Sequence, residues 1–151
     1  MKTLLVVYSF HHNNTLKVAE VFAKVLNAEI KTPQQANPQE LEKYGLIGFG
    51  AGIDSGKHYQ PLLDFADQLP KVTDKKAFIF STSGISEANK NHTALREKLQ
   101  SKGYVVVDEF NCAGFNTNSF LKLFGGINKG RPNRQDLKAA EEFAENIKQK
   151  V

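Results

Sequence analysis

Apolar runs of strand length alternate with helix-period segments along the whole 151-residue chain. A strand buried on both faces reads as a continuous apolar run, and a helix packed on one face repeats its apolar residues at i, i+3, i+4 and i+7. Thr3 to Tyr8 is the first such run, with a β-branched middle. A helix follows from about Thr15, with Val18, Val21, Phe22 and Val25 on one face. Ala28 to Lys31 is a second short strand. Asn37 caps a short helix that has Pro38 at its first position and runs through Tyr44. Leu46 to Gly50 is the third strand, and Leu62, Phe65, Ala66 and Leu69 mark the next helix face. Ala77 to Phe80 is the fourth strand, followed by a helix over about His92 to Lys102 that stops at Gly103. Tyr104 to Phe110 is the fifth strand. A long connection spans Asn111 to Pro132. Asn133 then caps a last helix, with Asp136 placed for a capping box and Leu137, Ala140, Ala144 and Ile147 facing inward.

Strand–helix alternation demands crossover connections, and these are right-handed. The expected fold class is therefore α/β, a three-layer doubly wound sandwich around a five-stranded parallel sheet of order 2-1-3-4-5, in one domain over residues 1–151. In such a sheet, ligands bind beyond the carboxyl ends of the strands where the strand order reverses. The reversal lies between the first and third strands. The loops to weigh are therefore 9–15, 50–58 and 81–89.

Composition narrows the classes further. Charged residues are 24% and hydrophobic ones 40%, which excludes disorder. The single cysteine, Cys112, cannot form an internal bridge and fits a reducing compartment. Apolar runs fall short of the ~20 residues of a membrane span, and the first residues do not read as a signal peptide. The expectation is a cytoplasmic protein that does not engage membranes. The net charge of +4 is spread along the chain apart from Lys122, Lys129 and Arg131, so a nucleic-acid partner is not expected.

The first loop, Ser9-Phe10-His11-His12-Asn13-Asn14-Thr15, has no acid and no lysine and runs into a helix start. Unpaired N–H groups and the helix dipole attract an anion there, and Ser9, Asn13, Asn14 and Thr15 add side-chain donors. The bland alternative is that Asn14 or Thr15 merely caps the helix. His11 and His12 lack a nearby acid and lack metal-ligand spacing, so metal binding is not expected and donation to a phosphate oxygen is. In the second loop, Gly48, Gly50 and Gly52 fail the dinucleotide fingerprint, because its last glycine would fall at Ile53. They read instead as places where backbone approaches something flat or needs positive φ. Gly56-Lys57 lacks the Ser/Thr of a P-loop. A phosphorylation receiver of the same topology is excluded by Tyr8-Ser9 and Gly50-Ala51, where it needs acids for magnesium.

Tyr8-Ser9-Phe10-His11-His12-Asn13-Asn14-Thr15, followed by Lys17-Val18-Ala19-Glu20, resembles the FMN phosphate loop of flavodoxin-like proteins. It is most similar to a subgroup with His-His-Gly-Asn-Thr. The resemblance continues through Ile47–Ile53, Phe78–Gly84, Gly114–Thr117 and Gly125–Asn133. It implies a flavodoxin-like fold with non-covalent FMN and electron transfer. It further implies that His12, Asn13, Asn14 and Thr15 meet the phosphate while Ser9 and Phe10 line the entry, with His11 in the same turn. Ala51, Gly52 and Ile53 would pass one face of the ring, and Thr82, Ser83 and Gly84 would approach the ribityl chain or ring edge.

Three features depart from the family pattern. Asn13 stands where glycine is usual. There is no Trp and no Tyr in 81–89, so stacking falls to Ile53, Ile85, Phe115 or Tyr59. The +4 charge contrasts with the acidic surface usual in flavodoxins. A flipping peptide at Gly52 is expected to serve the ring. The implied partner is a redox protein or a small-molecule electron acceptor. The alternatives are an NAD(P)H-dependent FMN or quinone reductase, and a cofactor-free binding or regulatory module. Phe115, Phe120, Leu121, Leu123 and Phe124 make the 111–132 segment either a cover for the last strand or a homodimer face.

Overall fold

The computed structural model describes residues 2–9, 13–84, 88–114 and 130–151. In chain order the elements are β1 (Thr3–Tyr8), α1 (Asn14–Leu26), β2 (Glu29–Lys31), a 3₁₀ turn (Pro38–Lys43), β3 (Leu46–Asp54), β4 (Lys57–His58) and α2 (Gln60–Asp67). They continue with β5 (Lys75–Ser83), α3 (Ala88–Asn91), α4 (Thr93–Ser101), β6 (Tyr104–Ala113) and α5 (Arg134–Lys150). The sheet order is β2-β1-β3-β5-β6, all parallel, with β4 pairing antiparallel to β3 as a hairpin arm. Without that arm the order is the expected 2-1-3-4-5.

Two apolar layers sandwich the sheet. On one side α1 and α5 bring Val18, Phe22, Ala140 and Ile147 against Leu5, Val7, Phe78 and Phe80. On the other α2 and α4 bring Leu62, Ala66, Leu95 and Leu99 against Val6, Phe49 and Ile79. Phe22 is the hub of the first layer. Its ring lies 5.7 Å from Phe78, 5.0 Å from Phe80, 5.6 Å from Phe110 and 5.5 Å from Phe143. Removing a ring packed on four others costs about 3–5 kcal/mol. Gly48 and Gly50 are explained by the same packing. A Cβ on Gly48 would come within 2.4 Å of the Phe78 ring, and one on Gly50 within 2.1 Å of the Phe80 ring. The flat objects the β3 backbone approaches are the protein's own phenyl rings.

Three strands are longer than their apolar runs. β3 passes Gly50 and reaches Asp54, β5 reaches Ser83, and β6 reaches Ala113. Apart from Ile53 the extensions are polar or small, and they carry the strands to the carboxyl rim of the sheet. β3 turns back through Ser55 (φ 54°) and Gly56 (φ 79°), the paired positive φ of a two-residue hairpin turn whose twist suits the flanking strands. The helix-terminal expectations hold. Asn37 accepts from Gln39 N–H, Asn133 and Asp136 form a reciprocal capping box, and Gly103 sits at φ 98° after α4. Among the described residues no helix is long and apolar enough to cross a membrane.

Candidate functional site

The carboxyl ends of β1, β3 and β5 converge where the strand order reverses. β1 ends in the Ser9 turn, and α1 starts at Asn14 behind Asn13, whose φ 54° and ψ 33° are left-handed. A glycine would take that conformation freely, and asparagine tolerates it better than most residues. Asn13 therefore stands in a conformation that a glycine would also take. Its side chain makes no cap bond. The first intrahelical bond runs from Lys17 N–H to Asn13 O at 3.1 Å, so the amides of Asn14, Thr15 and Leu16 lie ahead of the helix's own hydrogen-bond ladder. No acidic side chain stands in that first turn. The end thus keeps the partial positive charge that favours an anion.

Several predicted donors turn inward. Ser9 Oγ accepts from Leu16 N–H at 3.2 Å, so Ser9 caps the helix rather than standing only as an entry residue. Thr15 Oγ1 and Thr82 Oγ1 lie 2.8 Å apart, both buried. The Thr15 hydroxyl, expected to face an anion, is spent on tying the α1 start to β5. Thr82, expected beside a ribityl chain, holds the other half of the same bond. What Thr15 still offers an anion is its backbone amide. Ala51 is wholly buried between Tyr8 and Ser81 in the sheet, so it supports the site from below and presents no side chain to a ligand. Gly52, expected to carry a flipping peptide, is held in the hairpin in this structure. Its carbonyl accepts Tyr59 N–H at 3.1 Å, and its Cα side is closed by the Tyr59 ring, which a Cβ would meet at 2.8 Å. The turn glycine of this hairpin is Gly56. Ile53 is half-buried beside it and pairs with His58 in the β3–β4 hairpin. Phe10, His11, His12, Ile85 and Phe115 lie outside the described residues, as does the apolar part of the 111–132 segment. Of that segment, Asn111 to Ala113 are strand, not connection.

An aromatic pair flanks the β1–β3 exit. The Tyr8 and Tyr59 rings are 5.9 Å apart and tilted by 58°. Burial, Asp54 and Tyr8 all raise the Tyr59 pKa above its usual value, so its hydroxyl stays protonated. Tyr8 was not singled out in the sequence, because it reads as the last residue of an apolar strand.

The β5 exit rests on a polar network that loop spacing did not reveal. Ser81 Oγ lies 2.6 Å from His92 Nε2 and 2.9 Å from Asn111 Oδ1. Ser83 Oγ lies 3.2 Å from that same oxygen. His92 Nδ1 lies 2.7 Å from Glu109 Oε1, and Arg96 donates twice to the Glu109 carboxylate at 2.6 and 2.8 Å. Burial lowers the His92 pKa, and the Glu109 carboxylate opposes that shift. Burial alone would raise the Glu109 pKa, but donors from Arg96 and His92 bring it below the usual value. His58 packs on His92 at 5.0 Å, and its Nε2–H donates to Phe80 O at 3.0 Å. Its Nδ1 is buried with no hydrogen-bond partner among the described residues. A proton placed there would be buried and unbonded, and burial and the neighbouring His92 push the His58 pKa down to about 3. Gly114 N–H donates to Ser83 O at 3.1 Å, and a Cβ on Gly114 would strike Asn14 Nδ2 at 2.7 Å, so the α1 start also leans on the β6 end. Cys112 is buried, and burial with Asp136 nearby pushes its thiol up to about 12, which leaves it inert.

Comparison with known proteins agrees with this fold. The profile of the flavodoxin domain family matches residues 5–120. An uncharacterised protein of Methanocaldococcus jannaschii is 47% identical over 148 residues, 97% of this chain and 98% of that one. Oxidised flavodoxin 1 of Bacillus cereus superposes with a TM-score of 0.75 at 21% identity, covering 100% of this chain and 99% of its own. Flavodoxin 2 of the same organism gives 0.77 at 17% identity, with both chains fully covered. A flavodoxin from the Archaea gives 0.69 at 17% identity, covering 99% and 98%. The structural likenesses share the fold, and the family match spans most of the chain, including the turn after β1 and the exits of β3 and β5. The chain belongs to the flavodoxin domain family.

Proposed function

We propose that this protein binds FMN non-covalently and transfers electrons. One observation carries the reading: at the topological switch point, a left-handed Asn13 opens α1 with no acid in its first turn, which makes the helix end a seat for a phosphate. The residues fit that group. Asn13 takes a left-handed conformation that glycine, usual at this place in the family, would favour, and the amides of Asn14 and Thr15 stand at the helix start. When bound, FMN supplies the electron chemistry at its ring, and the protein positions and tunes it. Asn13, Asn14 and Thr15 hold the phosphate, joined by His12 as the His-His-Gly-Asn-Thr type of loop implies. Ile53, Tyr59 and Tyr8 border one side of the ring site, and Ser83 and Gly84 border the other. The Thr15–Thr82 bond keeps the phosphate seat and the β5 exit at a fixed spacing. The partner follows as a redox protein or a small-molecule acceptor, and the address as the cytoplasm.

A second reading has its own support. Ser9 satisfies Leu16 N–H, and Thr15 satisfies Thr82, so part of the seat is already bonded to itself. That would suit a module that kept the fold without the cofactor. The absorbance spectrum of purified protein, followed by titration with FMN, separates the two. Flavin bands, or saturable quenching of FMN fluorescence at micromolar protein, support the redox reading. Colourless protein that leaves FMN fluorescence unchanged supports the module. Oxidation of NAD(P)H by the FMN-loaded protein with a quinone acceptor would shift the assignment from carrier to reductase.

A further inference from the structure

Among the described residues, Ser81 stands at the centre of the network under the β5 exit with one hydroxyl proton and two neighbours that can each take it, and that competition gives the network two states. Ser81 has a single hydroxyl proton and two acceptors within reach, His92 Nε2 at 2.6 Å and Asn111 Oδ1 at 2.9 Å. Glu109 faces His92 Nδ1 at 2.7 Å as a carboxylate held by Arg96, so Nδ1 carries a proton in either charge state. When His92 is neutral, its Nε2 is an acceptor and takes the Ser81 proton. The Ser81 oxygen then needs a donor from Asn111, and the amide must present Nδ2. When His92 is charged, Nε2–H donates to Ser81, Ser81 donates to Asn111, and the amide presents Oδ1. Ser83 Oγ, 3.2 Å from the same end of that amide, follows the choice. Against the first state of Asn111 it accepts, and its own proton is not spent on the amide. Against the second it spends that proton on Oδ1.

We propose that His92 is a positioning residue whose charge decides which end of the Asn111 amide faces Ser81 and Ser83, and so sets the grip of the β5 exit on its ligand. The ligand part of this inference rests on the FMN reading, whereas the amide part does not. Ser81, His92 and Glu109 stand in the order of an acyl-transfer triad, but Ser81 is wholly buried and no substrate can reach it, so the network acts through Asn111 and Ser83. Among the described residues, the charged and titratable groups facing His92 are Glu109 from β6, Arg96 from its own helix and His58 from β4. β5 contributes only the uncharged Ser81, and Lys90 of α3 is exposed. His58 stays neutral beside it, because its Nε2–H is committed to Phe80 O and its Nδ1 has no partner among the described residues.

The test uses ¹⁵N NMR of the full chain without flavin, from pH 7.5 down to the onset of acid unfolding. The expected result is a His92 Nδ1–H tautomer at pH 7.5, with the Asn111 side-chain amide signals shifting at the same midpoint as the His92 ring. In Glu109→Gln that shared midpoint moves to lower pH. An Nε2–H tautomer overturns the proposal. So does an Asn111 amide that ignores the ring, or a His92 that keeps its neutral state until the protein unfolds. The ligand arm uses riboflavin, which lacks a titrating phosphate. Its Kd is expected to rise at least threefold as pH falls through the His92 midpoint, and to stay flat in His92→Gln. A Kd unchanged in the wild type overturns the link to the ligand. Neither riboflavin nor FMN binding at any pH, with the NMR coupling intact, removes the FMN reading and the proposed ligand effect but leaves the amide switch.

Discussion

Replacing Thr82 by valine tests whether the two ligand loops are tied together. The hydroxyls of Thr15 and Thr82 meet at 2.8 Å across 67 residues of sequence, with only 2% and 4% of each residue exposed. Valine has the shape of threonine with a methyl in place of the hydroxyl. Thr82→Val would leave the Thr15 hydroxyl buried against that methyl, and an unsatisfied buried hydroxyl costs about 1–3 kcal/mol. Thr15→Val should cost a similar amount for the same reason. The double variant places two methyls together, and such a swap of both partners is close to neutral. The double-mutant cycle should therefore show strong coupling, with the double variant more stable than the two single losses added together. Urea unfolding of the FMN-free protein, followed by circular dichroism, measures each corner, and an unchanged slope confirms that only stability has moved. If the single losses add to the double loss within about 0.5 kcal/mol, the two hydroxyls do not share a bond and the tie between the loops is refuted.

Three further expectations follow from other sites. Gly103→Ala should destabilise the protein by more than about 2 kcal/mol, because φ is 98° and the new Cβ would lie 1.7 Å from Val72 O, and a variant as stable as wild type in urea would contradict that backbone path. His58 has a folded pKa of about 3 against an unfolded value near 6.5, so its neutral form contributes stability that is present above pH 6.5 and lost as pH falls toward 3. The loss reaches roughly 5 kcal/mol at 1.36 kcal/mol per unit. In His58→Gln the difference from wild type should shrink across that window, and a pH-independent difference would argue against a buried neutral ring. Gly52→Val should push the Tyr59 ring aside and weaken flavin binding, and an unchanged Kd would show that Tyr59 does not border the ring site.

Fold and site were legible in the sequence to different depths. The strand order followed from apolar runs and crossover handedness, because those signals are local and the topological rules are few. The hairpin after Gly52 was hidden, since Ser55 carries a positive φ that no glycine announces. Asparagine tolerates a left-handed turn, and Asn13 occupies one. The hydroxyl pairing of Thr15 with Thr82 was not legible, because a polar side chain at a loop does not say whether its partner is a ligand or another side chain. His92 looked like the start of a helix, and its role depends on Ser81 and Glu109, which lie 11 and 17 residues away and meet it only across the sheet.

The central claim is that the turn after β1 seats a phosphate, and comparing the affinities of FMN and riboflavin under the same conditions tests it most directly. The two ligands share the ring and differ by that one group. Charge-assisted bonds from the Asn14 and Thr15 amides should make FMN bind at least about tenfold more tightly, since each is worth roughly 1.5–3 kcal/mol. Equal affinity for the two, or a preference for riboflavin, would mean that the start of α1 does not hold the phosphate.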